Sequence, residues 1–206
     1  MNAMEHFFCS TSLWQRMTHR YLLPWVLSDA RLGDHVLEIG AGYGPATGHL
    51  LKAAPRVTSL EYDARAVGKL KAKHGHGQLA PLCGDAAFLP FADQSFSSAI
   101  AILVLHHLKS RELQDRAIAE VHRVLRPGGS FFVYEINDGW VERTLHYRST
   151  FTPVTPGSAF ARLTKAGFSK ISVDFRRGGY RFRARKAMET SSNDEARTAA
   201  AASATA

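Results

Sequence analysis

Apolar residues at Leu13, Trp14, Met17, Tyr21, Leu22, Trp25 and Val26 fall at helical spacing, which predicts an amphipathic helix over 13–27 with Ser10, Thr11 or Ser12 as its cap and Pro24 as a kink or break. Short apolar runs then alternate with helix-compatible stretches. Strands are expected at 34–40, 56–61, 78–83, 98–103 and 130–135, and helices at 45–53, 64–73 and 111–125. Strands that alternate with helices imply a parallel sheet covered on both faces. The run Arg126-Pro127-Gly128-Gly129 reads as the turn that ends the third of these helices.

The pattern lapses over 137–157, where Pro153, Pro156 and Gly157 accompany Trp140, Tyr147 and Phe151. An inserted loop or lid is expected there. A helix over 158–166 ending at Gly167, a strand over 170–175, a Gly178-Gly179 turn and a strand over 180–185 make a terminal hairpin. The residues 188–206, rich in Ala, Ser and Thr, are expected to be a disordered tail. The expectation is therefore one domain over 1–187, with 1–33 as an N-terminal helical extension that serves as a lid and 137–157 as an acceptor-side insertion.

Composition adds bounds. The chain has 206 residues, 45% hydrophobic and 21% charged, as an ordinary globular domain does. No apolar run reaches the roughly 18–20 residues of a membrane span, and the start lacks a signal-peptide pattern, so no membrane association is expected and a cytoplasmic location is the default. Cys9 and Cys83 stand far apart without a CxxC pattern, which predicts neither a disulfide nor a metal site. The net charge of +8 becomes +10 when the last residues, with Glu189, Asp194, Glu195 and Arg197, are set aside. Such a basic body attracts anions without specifying which. Oligomeric state is left open.

Chemistry enters at Glu38-Ile39-Gly40-Ala41-Gly42-Tyr43-Gly44, a glycine-rich turn between a strand and a helix. Backbone there can approach a ligand closely and offer N–H groups to it. A dinucleotide fingerprint would need a glycine at 45, where Pro45 stands. Glu61 ends the second strand about 20 residues on, where a carboxylate can accept ribose hydroxyls. After the third strand, Asp85 in Gly84-Asp85-Ala86 is placed to accept the amine of an adenine.

Taken together, Val36 to Gly44, Leu60-Glu61-Tyr62-Asp63, Gly84-Asp85-Ala86 with Leu89-Pro90-Phe91, Leu105-His106-His107 and Val124-Leu125-Arg126-Pro127-Gly128-Gly129 resemble the class I S-adenosylmethionine-dependent methyltransferases. The resemblance runs from about residue 34 to residue 186. It implies an α/β fold, a Rossmann-like doubly wound sheet of about seven strands whose last strand is antiparallel, with S-adenosyl-L-methionine as cofactor. It also implies roles. Gly40, Ala41, Gly42 and Gly44 would pass the methionine and ribose portions, with Glu38 supporting that loop. Glu61 would hold the ribose, Tyr62 would flank the adenine, and Asp85 and Ala86 would read its edge. Backbone at Ile102 and Leu103 would face the methionine amino group. One departure is Ser97, where the family often has Asp, at a position expected to precede the strand.

Methyl transfer from a sulfonium is an in-line displacement and needs no enzyme nucleophile, so no catalytic residue is assigned. His106 and His107, after the fourth strand, could act as a base or shape the acceptor pocket; the alternative is a capping or packing role. The pocket is expected to be closed by the N-terminal helix, with Phe7, Phe8, Trp14 and Tyr21, and by 137–157. A small-molecule acceptor is the leading expectation.

An RNA methyltransferase is the alternative, using the basic run Arg176, Arg177, Arg181, Arg183, Arg185 and Lys186. Tyr180, Phe182 and Ala184 alternate with those cations, which favours a half-buried strand with a solvated face. The motifs are also similar to ribosomal RNA adenine dimethylases, yet the Asn-x-Pro-aromatic segment of those enzymes is replaced by Ile102-Leu103-Val104-Leu105. Cytosine C5 chemistry would want a cysteine near that strand. A non-catalytic S-adenosylmethionine-binding protein is the third reading.

Overall fold

The computed structural model describes residues 11–74, 77–176 and 178–188. Phe7, Phe8, Cys9, Ser10, Arg177, the side chain of Trp14 and the tail after Met188 lie outside the described residues. A seven-stranded sheet has the order β3-β2-β1-β4-β5-β7-β6. Its strands are β1 (His35–Ile39), β2 (Arg56–Glu61), β3 (Leu79–Cys83), β4 (Phe96–Ile102), β5 (Leu125–Ile136), β6 (Phe168–Arg176) and β7 (Gly179–Lys186). β1 to β5 pair in parallel, and β7 runs antiparallel to both neighbours. The Rossmann-like sheet with its last strand reversed is therefore the observed fold.

Both faces of this sheet are covered, and β5 makes the reason visible. Phe131 and Val133 enter one core while Phe132 and Tyr134 enter the other, the two-residue period of a doubly buried strand. The first core receives Ala117, Ile118 and Val121 from a helix at Arg111–Val124, and Ala159 and Leu163 from one at Pro156–Lys165. The second receives Leu50 from the helix at Thr47–Ala53 and Val26 from the N-terminal helix. In chain order the helices are α1 (Ser12–Met17), α2 (Leu23–Val26), α3 (Thr47–Ala53), α4 (Ala64–His74), α5 (Arg111–Val124), α6 (Trp140–Leu145) and α7 (Pro156–Lys165).

Several boundaries differ from expectation. α1 and α2 are joined by a π-helical stretch, Thr18–Leu22; Pro24 sits at the first turn of α2, where its missing N–H is tolerated. The Arg126-Pro127-Gly128-Gly129 run is the opening of β5, not a separate turn: Leu125 pairs with Phe96, and the register then shifts between Phe96 and Ser98. Ser97 lies inside β4, where its hydroxyl receives the His35 N–H at 3.0 Å. The hairpin turn sits one residue early, because Arg176 pairs with Gly179 across β6 and β7. Residues 137–157 are not all loop, since α6 forms within them.

The basic hairpin requires the largest correction. Its arginine face is solvated only in part: Arg181 is buried and Arg183 half-buried against the N-terminal segment, while Arg176 and Arg185 are exposed. Arg181 is 7% exposed, donates to Asp174 at 2.9 Å and to Ser28 at 2.7 Å, reaches the Trp25 carbonyl, and lies over the Trp25 ring at 4.9 Å. Arg183 donates to Ser28 O and Arg176 to Tyr21 O. At the far end Arg185 reaches Gly128 O, and Lys186 reaches the carbonyls of His122 and Leu125. Alternation along the strand holds as expected; the partner on the polar face is a helix.

Candidate active site at the carboxyl edge of the sheet

In an open α/β sheet, ligands bind beyond the carboxyl ends of the strands where the strand order reverses, and here that point lies between β1 and β4. The glycine loop leaves β1 at this point. Gly40, Gly42 and Gly44 all have positive φ, at 67°, 52° and 82°. Their surroundings separate them. A Cβ on Gly40 would lie 2.4 Å from Val104 Cγ2, and one on Gly44 would lie 2.9 Å from Leu70 Cδ2, whereas one on Gly42 would meet nothing within 4 Å. Gly40 is thus closed in by Val104, Gly44 is favoured by its positive φ, and Gly42 borders open space.

Glu61, at the tip of β2, is held from two sides. Gly42 N–H donates to its Oε2 at 2.8 Å and Asp63 N–H to its Oε1 at 2.9 Å. A carboxylate has about four acceptor positions, so it can still accept hydroxyl donors. Tyr62 beside it is 76% exposed. Gly84 N–H bonds Glu61 O at 3.0 Å, which brings the third loop against the second. In that loop Asp85 Oδ1 accepts the Ala87 N–H at 2.9 Å, with Ala86 half-buried. Arg123 on α5 fixes the far end of the loop by donating to the carbonyls of Leu89 and Phe91.

Glu38 is the most perturbed acid of the site. It is buried, and Thr47 donates to its Oε2 at 2.8 Å, as does Ser59. Oε1 is buried with no partner among the described residues. Burial pushes the carboxyl up to about 7, against the lowering effect of Ser59 and Thr47 and with a small contribution from the Glu61 charge. Charge is disfavoured in the absence of a cation.

β4 ends at Ile102, and Leu103 follows with φ at 59° while its N–H bonds Tyr134 O at 2.8 Å. A leucine in that region carries strain of about 1–2 kcal/mol, so the surroundings must hold it. Glu135 does much of this. Its Oε1 accepts the N–H groups of Val104 at 3.2 Å and Leu105 at 2.8 Å, and its Oε2 meets His106 Nδ1 at 2.5 Å. His107 is half-buried and His146, just past α6, is buried. The three rings converge, with centroids 4.1, 5.2 and 5.3 Å apart, and Phe151 stacks on His146 at 4.5 Å. Burial and the neighbouring imidazoles push His107 down to about 3, so it is neutral at pH 7.

The positions singled out from sequence therefore assemble along three loops and the exit of β4. Thr47, Ser59, Glu135 and His146 were missed. Glu135 did carry a signal, being a lone carboxylate at the end of an apolar strand; the others act through long-range contacts that leave none.

The model of a methyltransferase domain family matches residues 37–133, which hold all the loops described above. Over those residues the chain is similar to that methyltransferase domain family. A mouse protein described as "Probable tRNA methyltransferase 9B" is 38% identical over 109 residues, covering 52% of this chain and 23% of that protein. The ubiquinone/menaquinone biosynthesis C-methyltransferase UbiE of Rubrivivax gelatinosus is 27% identical over 168 residues, covering 80% of this chain and 62% of its own length. The chain thus spans less than two thirds of either relative. A Haloferax volcanii chain solved in complex with the Trm112 methyltransferase activator superposes with a TM-score of 0.74 at 17% identity, covering 91% of this chain and 99% of that one. At that identity the likeness speaks for the fold.

Proposed function

We propose that the protein transfers the methyl group of S-adenosylmethionine to a small-molecule acceptor, with residues 1–187 as one catalytic unit whose acceptor side is bounded by 1–33 and 137–157. The observation that carries the choice of acceptor is the engagement of the hairpin cations. Arg176, Arg181, Arg183, Arg185 and Lys186 all bond to protein groups. Phosphate binding draws on cations that can exchange counterions for phosphates, and these are tied to the fold.

The cofactor fits the residues on two counts. The orphaned Glu38 Oε1 suits a cationic amino group, and the open space at Gly42 suits close approach of a ligand. In this reading Gly40, Ala41, Gly42 and Gly44 form the wall beside the methionine and ribose, and Glu38 supports it. Glu61, preset by two backbone N–H groups, accepts the ribose hydroxyls. Tyr62 covers the adenine, Asp85 and Ala86 take its amine and edge, and the strained turn at Ile102 and Leu103 presents backbone to the amino acid end. Bound there, the cofactor supplies an activated methyl carbon. The chain's part is to hold the accepting atom in line at about 3 Å. His106, His107, His146 and Phe151 wall the acceptor side, and His106 is fixed in place by Glu135.

Incubating the protein and methyl-labelled S-adenosylmethionine with cell extract, with and without ribonuclease, tests this. Label in a small organic fraction is expected. Label released by ribonuclease would overturn the choice of acceptor. Cofactor binding without transfer to any fraction would overturn the activity.

A further inference from the structure

The three histidines behind the β4 exit are arranged in a way that methyl transfer does not require. His106 and His107 sit on the turn Leu105–His107, and His146 caps the end of α6. One nitrogen from each ring lies within 4.8 Å of the others. Each ring also meets an oxygen. His106 Nδ1 faces the Glu135 carboxylate at 2.5 Å, His146 Nδ1 meets Glu142 O at 2.7 Å, and His107 bonds the Thr150 carbonyl. A neutral imidazole has one N–H and one lone pair. With the Nδ1 protons of His106 and His146 given to those oxygens, Nε2 of each of these two rings carries a lone pair.

Three ring nitrogens within 4.8 Å of one another, on rings that meet a carboxylate or carbonyl, are what a divalent metal ion asks for. Metal-bound histidines donate their second nitrogen to such oxygens, which fixes tautomer and direction. Three histidines with a fourth position left open is the ligand count of open zinc sites.

We propose that His106, His107 and His146 form a binding site for a first-row divalent transition ion of the zinc type, with Glu135 orienting His106. The nitrogens close from their present spacing to about 3.3 Å around an ion bound at 2.0–2.1 Å, a movement of ring torsions. Imidazole ligands select zinc, cobalt, nickel or copper over magnesium and calcium. Sequence spacing did not point here, because His146 lies 40 residues beyond His106, outside any short ligand motif. The site goes beyond the proposed activity and does not depend on it.

Tag-free protein, stripped with a chelator, is titrated with cobalt chloride and then zinc chloride at pH 7.5, followed by visible absorption and calorimetry. One equivalent of cobalt should bind with the intense absorption of a four-coordinate ion, and zinc should displace it. His146→Ala should weaken zinc at least 100-fold, and Glu135→Gln should weaken it 10- to 100-fold. Circular dichroism and S-adenosylmethionine affinity are measured alongside to report folding. If His146→Ala does not fold, His107→Asn takes its place. Absence of a four-coordinate cobalt spectrum in the wild type, or zinc affinity unchanged by the histidine substitution, overturns the site. Absence of S-adenosylmethionine binding in the wild type would instead count against the methyltransferase reading and leave the metal result to stand by itself.

Discussion

Replacing Glu38 with glutamine should make the protein's stability less sensitive to pH, by an amount the structure sets. In the fold this carboxyl titrates at about 7 against an ordinary 4.5. A shift of that size corresponds to about 3 kcal/mol. The folded-state value is raised, so the native state holds a proton that the unfolded chain has already lost. Stability from this group is complete below pH 4.5 and is lost as pH rises to 7. The glutamine is neutral throughout. Its carbonyl can accept from Thr47 and Ser59 as Oε2 does, leaving its amide at the orphaned position, a cost that does not change with pH. Urea unfolding of both proteins between about pH 4.5 and 7.5 should therefore show the variant gaining about 3 kcal/mol on the wild type across the window. Asp34 and Glu120, whose carboxyls their arginine partners hold low, oppose this slope but are common to both proteins and cancel in the difference. A difference that stays flat with pH would refute the reasoning. If the cofactor's ammonium group lies at Oε1, its affinity should rise with pH through the same window in the wild type and not in the variant.

Gly42→Val should abolish S-adenosylmethionine binding measured by calorimetry, because its side chain fills the open space, while strain at φ 52° costs the fold about 1–2 kcal/mol; retained affinity would move the cofactor elsewhere. Arg181→Met should destabilise the protein by about 2 kcal/mol in urea, since Asp174, Ser28 and the Trp25 carbonyl lose a shared donor; a neutral result would mean that the hairpin is not a clamp. Thr155→Ala removes a capping box with Ser158 at the start of α7, and a loss of about 1 kcal/mol, or a Tm lower by about 2–4 °C, is expected by calorimetry.

The cofactor half of the molecule was legible because its information is local. β2 begins and ends where apolar spacing placed it, at Arg56 and Glu61, and the glycine loop, Glu61 and Asp85 each follow a strand directly. The illegible parts depend on contacts between distant segments. Arg126-Pro127-Gly128-Gly129 has the composition of a turn, yet pairing of Leu125 with Phe96 draws it into a strand. Ser97 lies in β4 because its hydroxyl ties the Leu32 and His35 carbonyls. The arginines of β7 alternate as a solvated face would, and only the path of the N-terminal segment reveals that Arg181 and Arg183 are covered while Arg185 is not. Periodicity reports which side of a strand is polar. It does not report what covers that side.

The region beyond the exit of β4 owes its shape to one carboxylate and one amide. Glu135 fixes Val104, Leu105 and His106 from below, while Gln114 on α5 donates to both Leu105 O and Thr152 O at 2.8 and 2.7 Å. Thr152 N–H closes the ring of contacts on His106 O at 2.8 Å. The exit of β4, helix α5 and the insertion over 137–157 are thereby joined through buried hydrogen bonds, which are costly to leave unmade. The strained Leu103 is held by that network before any ligand arrives, so the turn at the exit of β4 is preorganised. It follows that substitutions in the insertion can reach the exit of β4 through Thr152 and His106.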